Sequence, residues 1–228
     1  MSALRGSVGR RVSWSIVSGV IAAAALVVVS VLPADAVGTT PFSTNLVKNP
    51  GAEAGPASND PDVGIAIPNW ETLDNFTVVA YGTGGGFPST TEGSHIHGGN
   101  QFFSAGEPEG DGGCDDAIQF IKIKGHNSDI DAGHVQIILK ARLGTFDSQT
   151  DTAVVTLQFR DANNEQVGGS SAGLKLKATQ TGQTMLQKSA SKIMPRHARE
   201  VRIILAATNT TGYCDAYFDN MSVEIVSA

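Results

Sequence analysis

Aromatic side chains are scarce in this chain of 228 residues: two Trp, three Tyr and nine Phe make up 6% of it. Charge is low as well, at 17%, a composition that suits many short strands and turns better than helices or disorder. Basic residues are outnumbered, 16 Lys and Arg against 22 Asp and Glu. That balance argues against nucleic acid, whose phosphates need a basic footprint. Two cysteines make no disulfide framework, and a chain of this length can bury a core without staples. No His-Glu-x-x-His pair, Gly-x-Ser-x-Gly elbow, phosphate loop or dinucleotide fingerprint occurs. Beyond residue 36 there is no amphipathic helical pattern of ten or more residues and no long apolar run.

The one uninterrupted apolar stretch lies at the start. Arg5, Arg10 and Arg11 precede residues 12–32, and Ala34-Asp35-Ala36 follows as a small-x-small cleavage site. Residues 1–36 read as a secretory signal peptide, so the mature chain is expected to begin near Val37 and to be extracellular, with no membrane segment after cleavage. The alternative is an uncleaved anchor, since residues 12–32 are long enough to span a bilayer. Cleavage leaves one domain, residues 37–228, with 13 basic and 21 acidic residues and a formal charge of −8.

Within that domain the second half alternates with period 2. Val135, Ile137, Leu139, Ala141 and Leu143 point one way; Gln136, Lys140 and Arg142 point the other, with Ile138 as the exception. Val155, Leu157 and Phe159 form a second such row, and Val201, Ile203 and Leu205 a third. Tyr217, Asp219, Met221, Val223 and Ile225 form the last, which places the Asp219 carboxylate in a core-facing row. Strand spacings of about 10 to 20 residues without helical crossovers predict an all-β, antiparallel β-sandwich, with the jelly roll as its leading form. Gly82 to Gly86 and the acidic run holding Glu107, Glu109 and Asp111 read as exposed loops.

Cys114 and Cys214, each just before a strand, are expected to pair across about 100 residues; two free thiols are the alternative. His95 and His97 are two apart and share a face if extended, but no third or fourth ligand is placed for a transition metal. Loop acids such as Asp111, Asp115 and Asp116 leave a carboxylate pair for glycoside hydrolysis open, and equally suit any acidic surface. Trp70, Tyr81 and Phe87 are candidates for a sugar-stacking platform, with His95 among the hydrogen-bonding neighbours. The competing reading puts Trp70 in the core. Phe102, Phe103, Phe120, Phe159 and Phe218 are assigned to packing.

Residues 45–53, Asn-Leu-Val-Lys-Asn-Pro-Gly-Ala-Glu, followed by Ile67-Pro68-Asn69-Trp70, resemble the opening of galactose-binding-like jelly rolls, including carbohydrate-binding modules. Residues 216–223, Ala-Tyr-Phe-Asp-Asn-Met-Ser-Val, resemble their last strand. The resemblance also takes in bacterial secreted proteins of unassigned function with that fold. It implies a structural calcium held by Glu53 and Asp219, hard oxygen donors, with backbone carbonyls. The alternative is that Asp219 accepts backbone N–H groups and Glu53 is a solvated charge. The function implied is a secreted, non-catalytic domain that binds a glycan or polysaccharide. A structural or adhesive extracellular protein and, third, a polysaccharide hydrolase stay open, as does the oligomeric state. One architecture hosts all three.

Overall fold

The computed structural model describes residues 39–106, 114, 116–147, 149–208 and 213–228. The expected signal segment and the acids Glu107, Glu109, Asp111 and Asp115 lie outside the described residues. Among those described, ten strands and two short helices follow one another: β1 (Glu71–Thr72), β2 (Thr77–Ala80), α1 (Thr90–Ile96), β3 (Gln101–Ser104), β4 (Ala117–Lys122), α2 (Asn127–Ala132), β5 (Val135–Thr145), β6 (Thr152–Arg160), β7 (Leu174–Thr179), β8 (Leu186–Ile193), β9 (Glu200–Thr208) and β10 (Ala216–Ser227). They form two antiparallel five-stranded sheets, in the order β1-β4-β9-β6-β7 and β2-β3-β10-β5-β8.

Alternation builds both sheets. In β5 the row from Val135 to Leu143 is at most 1% exposed, while Gln136, Lys140 and Arg142 are half-buried on the other face. β6 and β9 repeat the pattern, with Val155, Leu157 and Phe159 facing Val201, Ile203 and Leu205 along their shared ladder. These rows meet inside the sandwich, where each fully buried Leu, Ile or Phe contributes about 1.5–3 kcal/mol. Aromatic rings run through that core: Trp70 lies edge-on to Phe103 at 5.3 Å, and Phe76 contacts both Phe103 and Phe218.

A second, smaller cluster sits on the opposite face of the β2-β3-β10-β5-β8 sheet. Val78 and Phe103 join the main core while their neighbours Val79 and Phe102 turn outward to meet Tyr81, Ile96, Met185 and Tyr217. Helix α1 lies against this cluster. Its seven residues are too few to show a helical period in sequence, but its ends are well marked. Ser89 accepts the Glu92 N–H as N-cap, His97 closes the other end at φ 56°, and the Asn220 amide donates to the Ile96 carbonyl. Helix α2 is closed the same way by Gly133 at φ 81°.

The last strand corrects one expectation. Tyr217 and Asp219 do not share a row with Met221, Val223 and Ile225. The β10–β5 register shifts between Asp219 and Ser222, with Asn220 at φ 47°, so a bulge inserts one residue and reverses the parity. Phe218, Met221, Val223 and Ile225 face the main core; Tyr217 joins the second cluster.

Candidate functional site

The expected platform residues are not brought together on a surface. Trp70 is 7% exposed, with its indole N–H donating to the Asn49 carbonyl at 3.2 Å, so the core reading holds for it. Tyr81 is equally buried and stacks against Phe102. Phe87 is half-buried among Phe102, Phe146 and Tyr217. His95 alone is open, on α1, with its ring 3.6 Å from the Glu92 carboxylate. What joins Tyr81 and Phe87 is hydrophobic packing beneath a helix rather than a shared opening.

Glu53 and Asp219 meet the same turn from two sides, since a Cβ at Gly99 would strike Glu53 and one at Gly98 would strike Asp219. Each carboxylate already has protein donors. Glu53 Oε1 accepts the Asn100 and Gln101 N–H groups at 2.9 and 3.0 Å. Asp219 is fully buried, accepting the Tyr81 hydroxyl at 2.6 Å and the Asn220 N–H at 2.6 Å. Burial pushes the Asp219 carboxyl up to about 7, the nearby Glu53 charge adds to that, and the hydrogen bonds from Tyr81 and Asn220 oppose it. Burial, followed by the Asp219 charge, drives the Tyr81 phenol well above its usual range. Hard carboxylate oxygens suit calcium, but no group of three or more His, Cys, Asp or Glu forms a metal-holding set among the described residues. These two side chains would need backbone carbonyls and water to complete a shell of six to eight oxygens.

At the ends of β4 and β10 the two cysteines are joined. The Cys114–Cys214 disulfide has a Cα separation of 5.5 Å and ties the two sheets together. Beside it, Asp151 accepts the Asp215 N–H at 3.0 Å. Burial, and after it the Asp151 carboxylate, push Asp215 up to about 6.

The outer face of the β1-β4-β9-β6-β7 sheet carries a different set. Along β4 the inward residues are Ala117, Gln119 and Ile121, leaving Ile118, Phe120 and Lys122 outward. Gln119 points inward because its amide is matched to backbone: it donates to the Lys48 and Asn69 carbonyls and accepts the Lys48 N–H. Register then sets the cross-strand rows of the outer face. Lys122, Glu200 and Arg160 form one row, Phe120, Arg202 and Gln158 the next, and Ile118, Ile204, Thr156 and Lys175 the third.

Phe120 is 39% exposed, which corrects its assignment to packing. The Arg202 guanidinium lies 5.7 Å from the centre of its ring. Arg202 Nε is buried with no hydrogen-bond partner, and the same is true of Arg160 Nε. The outer Arg160 nitrogens are engaged, donating to the Asn164 carbonyl and to Gln158 Oε1. Two open hollows adjoin these rows and share Lys122. One of about 440 Å³ lies between Phe120 and the segment holding Asn45, Leu46 and Lys48. The other, about 470 Å³, is bordered by Glu200, Asp161 and Asn164. An exposed ring beside guanidinium, amide and hydroxyl groups offers a flat amphipathic surface of the kind that takes the apolar face of a sugar. The strand pattern Ala117-Ile118-Gln119-Phe120-Ile121-Lys122 hid it, because four of six positions are apolar and their facing is undecided until Gln119 is placed.

No family model matches the chain, and no curated relative does. Solved structures do. The arabinose-bound α-L-arabinofuranosidase MgGH51 matches with a TM-score of 0.50, at 11% identity over 81% of this chain and 27% of that one. The enzymatically active domain of tailspike protein 4 of bacteriophage CBA120 follows at 0.49, with 15% identity over 80% of this chain and 21% of that one. TmCBM61, in complex with β-1,4-galactotriose, matches at 0.43, with 13% identity over 82% of this chain and all of that one. The fold is a jelly-roll sandwich. Carbohydrate-binding modules of families 61, 22, 4 and 16 are among the neighbours, at low identity. This chain spans about a quarter of the arabinofuranosidase and a fifth of the tailspike domain, so likeness to these enzymes is likeness of fold.

Proposed function

We propose that this protein is an extracellular carbohydrate-binding domain whose glycan lies across the outer face of the β1-β4-β9-β6-β7 sheet. One observation carries the reading: the row Phe120, Arg202, Gln158 sets an exposed aromatic ring beside polar groups on the outer face of the sheet, the amphipathic arrangement that the apolar face of a sugar needs. A sugar ring stacks on Phe120, and Arg202, Gln158 and Thr156 hydrogen-bond its hydroxyls. A glycan array probed with the purified protein tests this. Binding to at least one polysaccharide is expected, and a blank array on folded protein would instead favour a structural or adhesive role.

Secretion is supported by the signal-like residues 1–36 and by the disulfide, which persists in oxidising compartments. Protein recovered from culture medium should begin near Val37; an intact Met1 end on protein held in the membrane fraction would contradict this. Calcium belongs to the same proposal, through Glu53 and Asp219. The ion would supply charge compensation for two carboxylates that share one turn, and the chain would orient them through the Asn100, Gln101 and Asn220 N–H groups. Chelator-treated protein titrated with CaCl₂ should release heat and gain melting temperature, and no uptake at millimolar calcium would remove this part.

A further inference from the structure

We infer that the glycan bound at this face is anionic, a polysaccharide bearing carboxylates, with Arg202 as the residue that reads the charge and Phe120 as the ring beneath the same sugar. The inference rests on the glycan-binding reading and narrows it to a substrate class.

The outer face is basic on an acidic protein. Lys122, Arg160, Arg202, Lys175 and Lys177 all point outward from this one sheet, in a chain of formal charge −6. The acids of the face, Glu71, Asp116 and Glu200, lie on or beside β1, β4 and β9, and β6 and β7 contribute only cations. Lys175 and Lys177 do not decide the matter. They stand on β7, an edge strand, where lysines deter pairing with other sheets.

Arg202 has no such explanation. It stands on β9, the central strand, between β4 and β6. Asp116 is near enough for its charge to be felt, yet forms no ion pair with Arg202 within 4 Å. Among the described residues the Arg202 guanidinium makes no hydrogen bond; it contacts the Phe120 ring and feels the Asp116 charge. The Phe120 ring and the Asp116 charge offset part of the cost of half-burying this guanidinium, and its two outer nitrogens have no hydrogen-bonded acceptor among the described residues. A carboxylate would take these two nitrogens, because the planar guanidinium fork binds a carboxylate through two parallel N–H···O bonds. Neighbouring strands are about 4.8 Å apart, so Phe120 and Arg202 are one sugar ring's width from each other. A uronic acid stacked on Phe120 brings its carboxylate to Arg202. A neutral sugar fills only half of that arrangement.

The test is a calorimetric titration with three probes: polygalacturonate, its fully methyl-esterified form, and dextran sulfate. Polygalacturonate is expected to bind about tenfold or more tightly than the ester, since ester formation removes the charge and one acceptor. Arg202→Gln should remove that preference, and Arg202→Lys should restore only part of it, because an ammonium lacks the fork. Phe120→Ala should weaken both the acid and the ester. Melting curves on each variant confirm the fold. Equal affinity for acid and ester, with Arg202→Gln unchanged, overturns the acidic-sugar inference and leaves glycan binding standing. Dextran sulfate bound as tightly as polygalacturonate and insensitive to Arg202→Gln also overturns it, as ion exchange by the lysines. Failure of folded protein to bind any of these and any neutral glycan overturns both readings.

Discussion

Single residues separate what a pattern shows from what a partner decides. Asp215 illustrates this, since its neighbour Asp151 is 64 positions away in sequence and 3.0 Å away through the Asp215 N–H. Its carboxyl is raised to about 6 from a value of 3.8, so the folded state holds a proton that the unfolded chain has lost between those two values. Stability from this group is therefore highest below about pH 4 and declines as the pH rises through about 6. Asp131 acts in the opposite sense. Its hydrogen bonds from Arg199 and from the His197 N–H hold it down to about 2, so its contribution is lost as acid is added below about pH 4. Asp215→Asn should flatten the decline between pH 4 and 7 by about 1 kcal/mol, a figure reduced for the group's half-exposed position. Urea midpoints across that range measure it, and equal slopes for the two proteins would contradict it. Trp70 was legible as a choice between platform and core, and the Asn49 carbonyl that takes its indole N–H settles the matter in favour of core.

At the scale of elements, the rows in β5, β6 and β9 could be read directly because strict alternation is what a half-buried strand requires. β10 could not be read through to its end. One inserted residue between Asp219 and Ser222 reverses which side chains face the core, and nothing in the local composition marks the bulge. β8 was invisible for a related reason: as an edge strand its burial follows exposure at the rim, and its run Leu-Gln-Lys-Ser-Ala-Ser-Lys-Ile carries little apolar signal. The cysteine pair was legible from number and context, and the fold adds what it does, which is to clamp β4 of one sheet to β10 of the other. Replacing Cys114 and Cys214 together by Ser should lower stability by about 4–5 kcal/mol, as expected for opening a loop of 100 residues. An unchanged denaturation midpoint would show that the clamp adds nothing to the packed sandwich.

For the whole molecule, the sandwich followed from composition and alternation, and the binding face did not. A core is recorded along each strand, whereas an outer face is recorded across strands, in the register that sets Phe120 beside Arg202 although they are 82 positions apart. The acidic total masked it as well, because a formal charge of −6 says nothing of one basic face. The same separation divides the molecule: the opening motif, residues 45–53 and 67–70, lies outside the named strands, and the sheet holds the exposed ring. The most direct measurement is the affinity of wild-type and Phe120→Ala protein for whichever glycan the array returns, with both variants shown to melt at the same temperature. A loss of about tenfold or more, as removal of a stacked aromatic predicts, supports the β1-β4-β9-β6-β7 face as the site. Undiminished affinity in Phe120→Ala would contradict it.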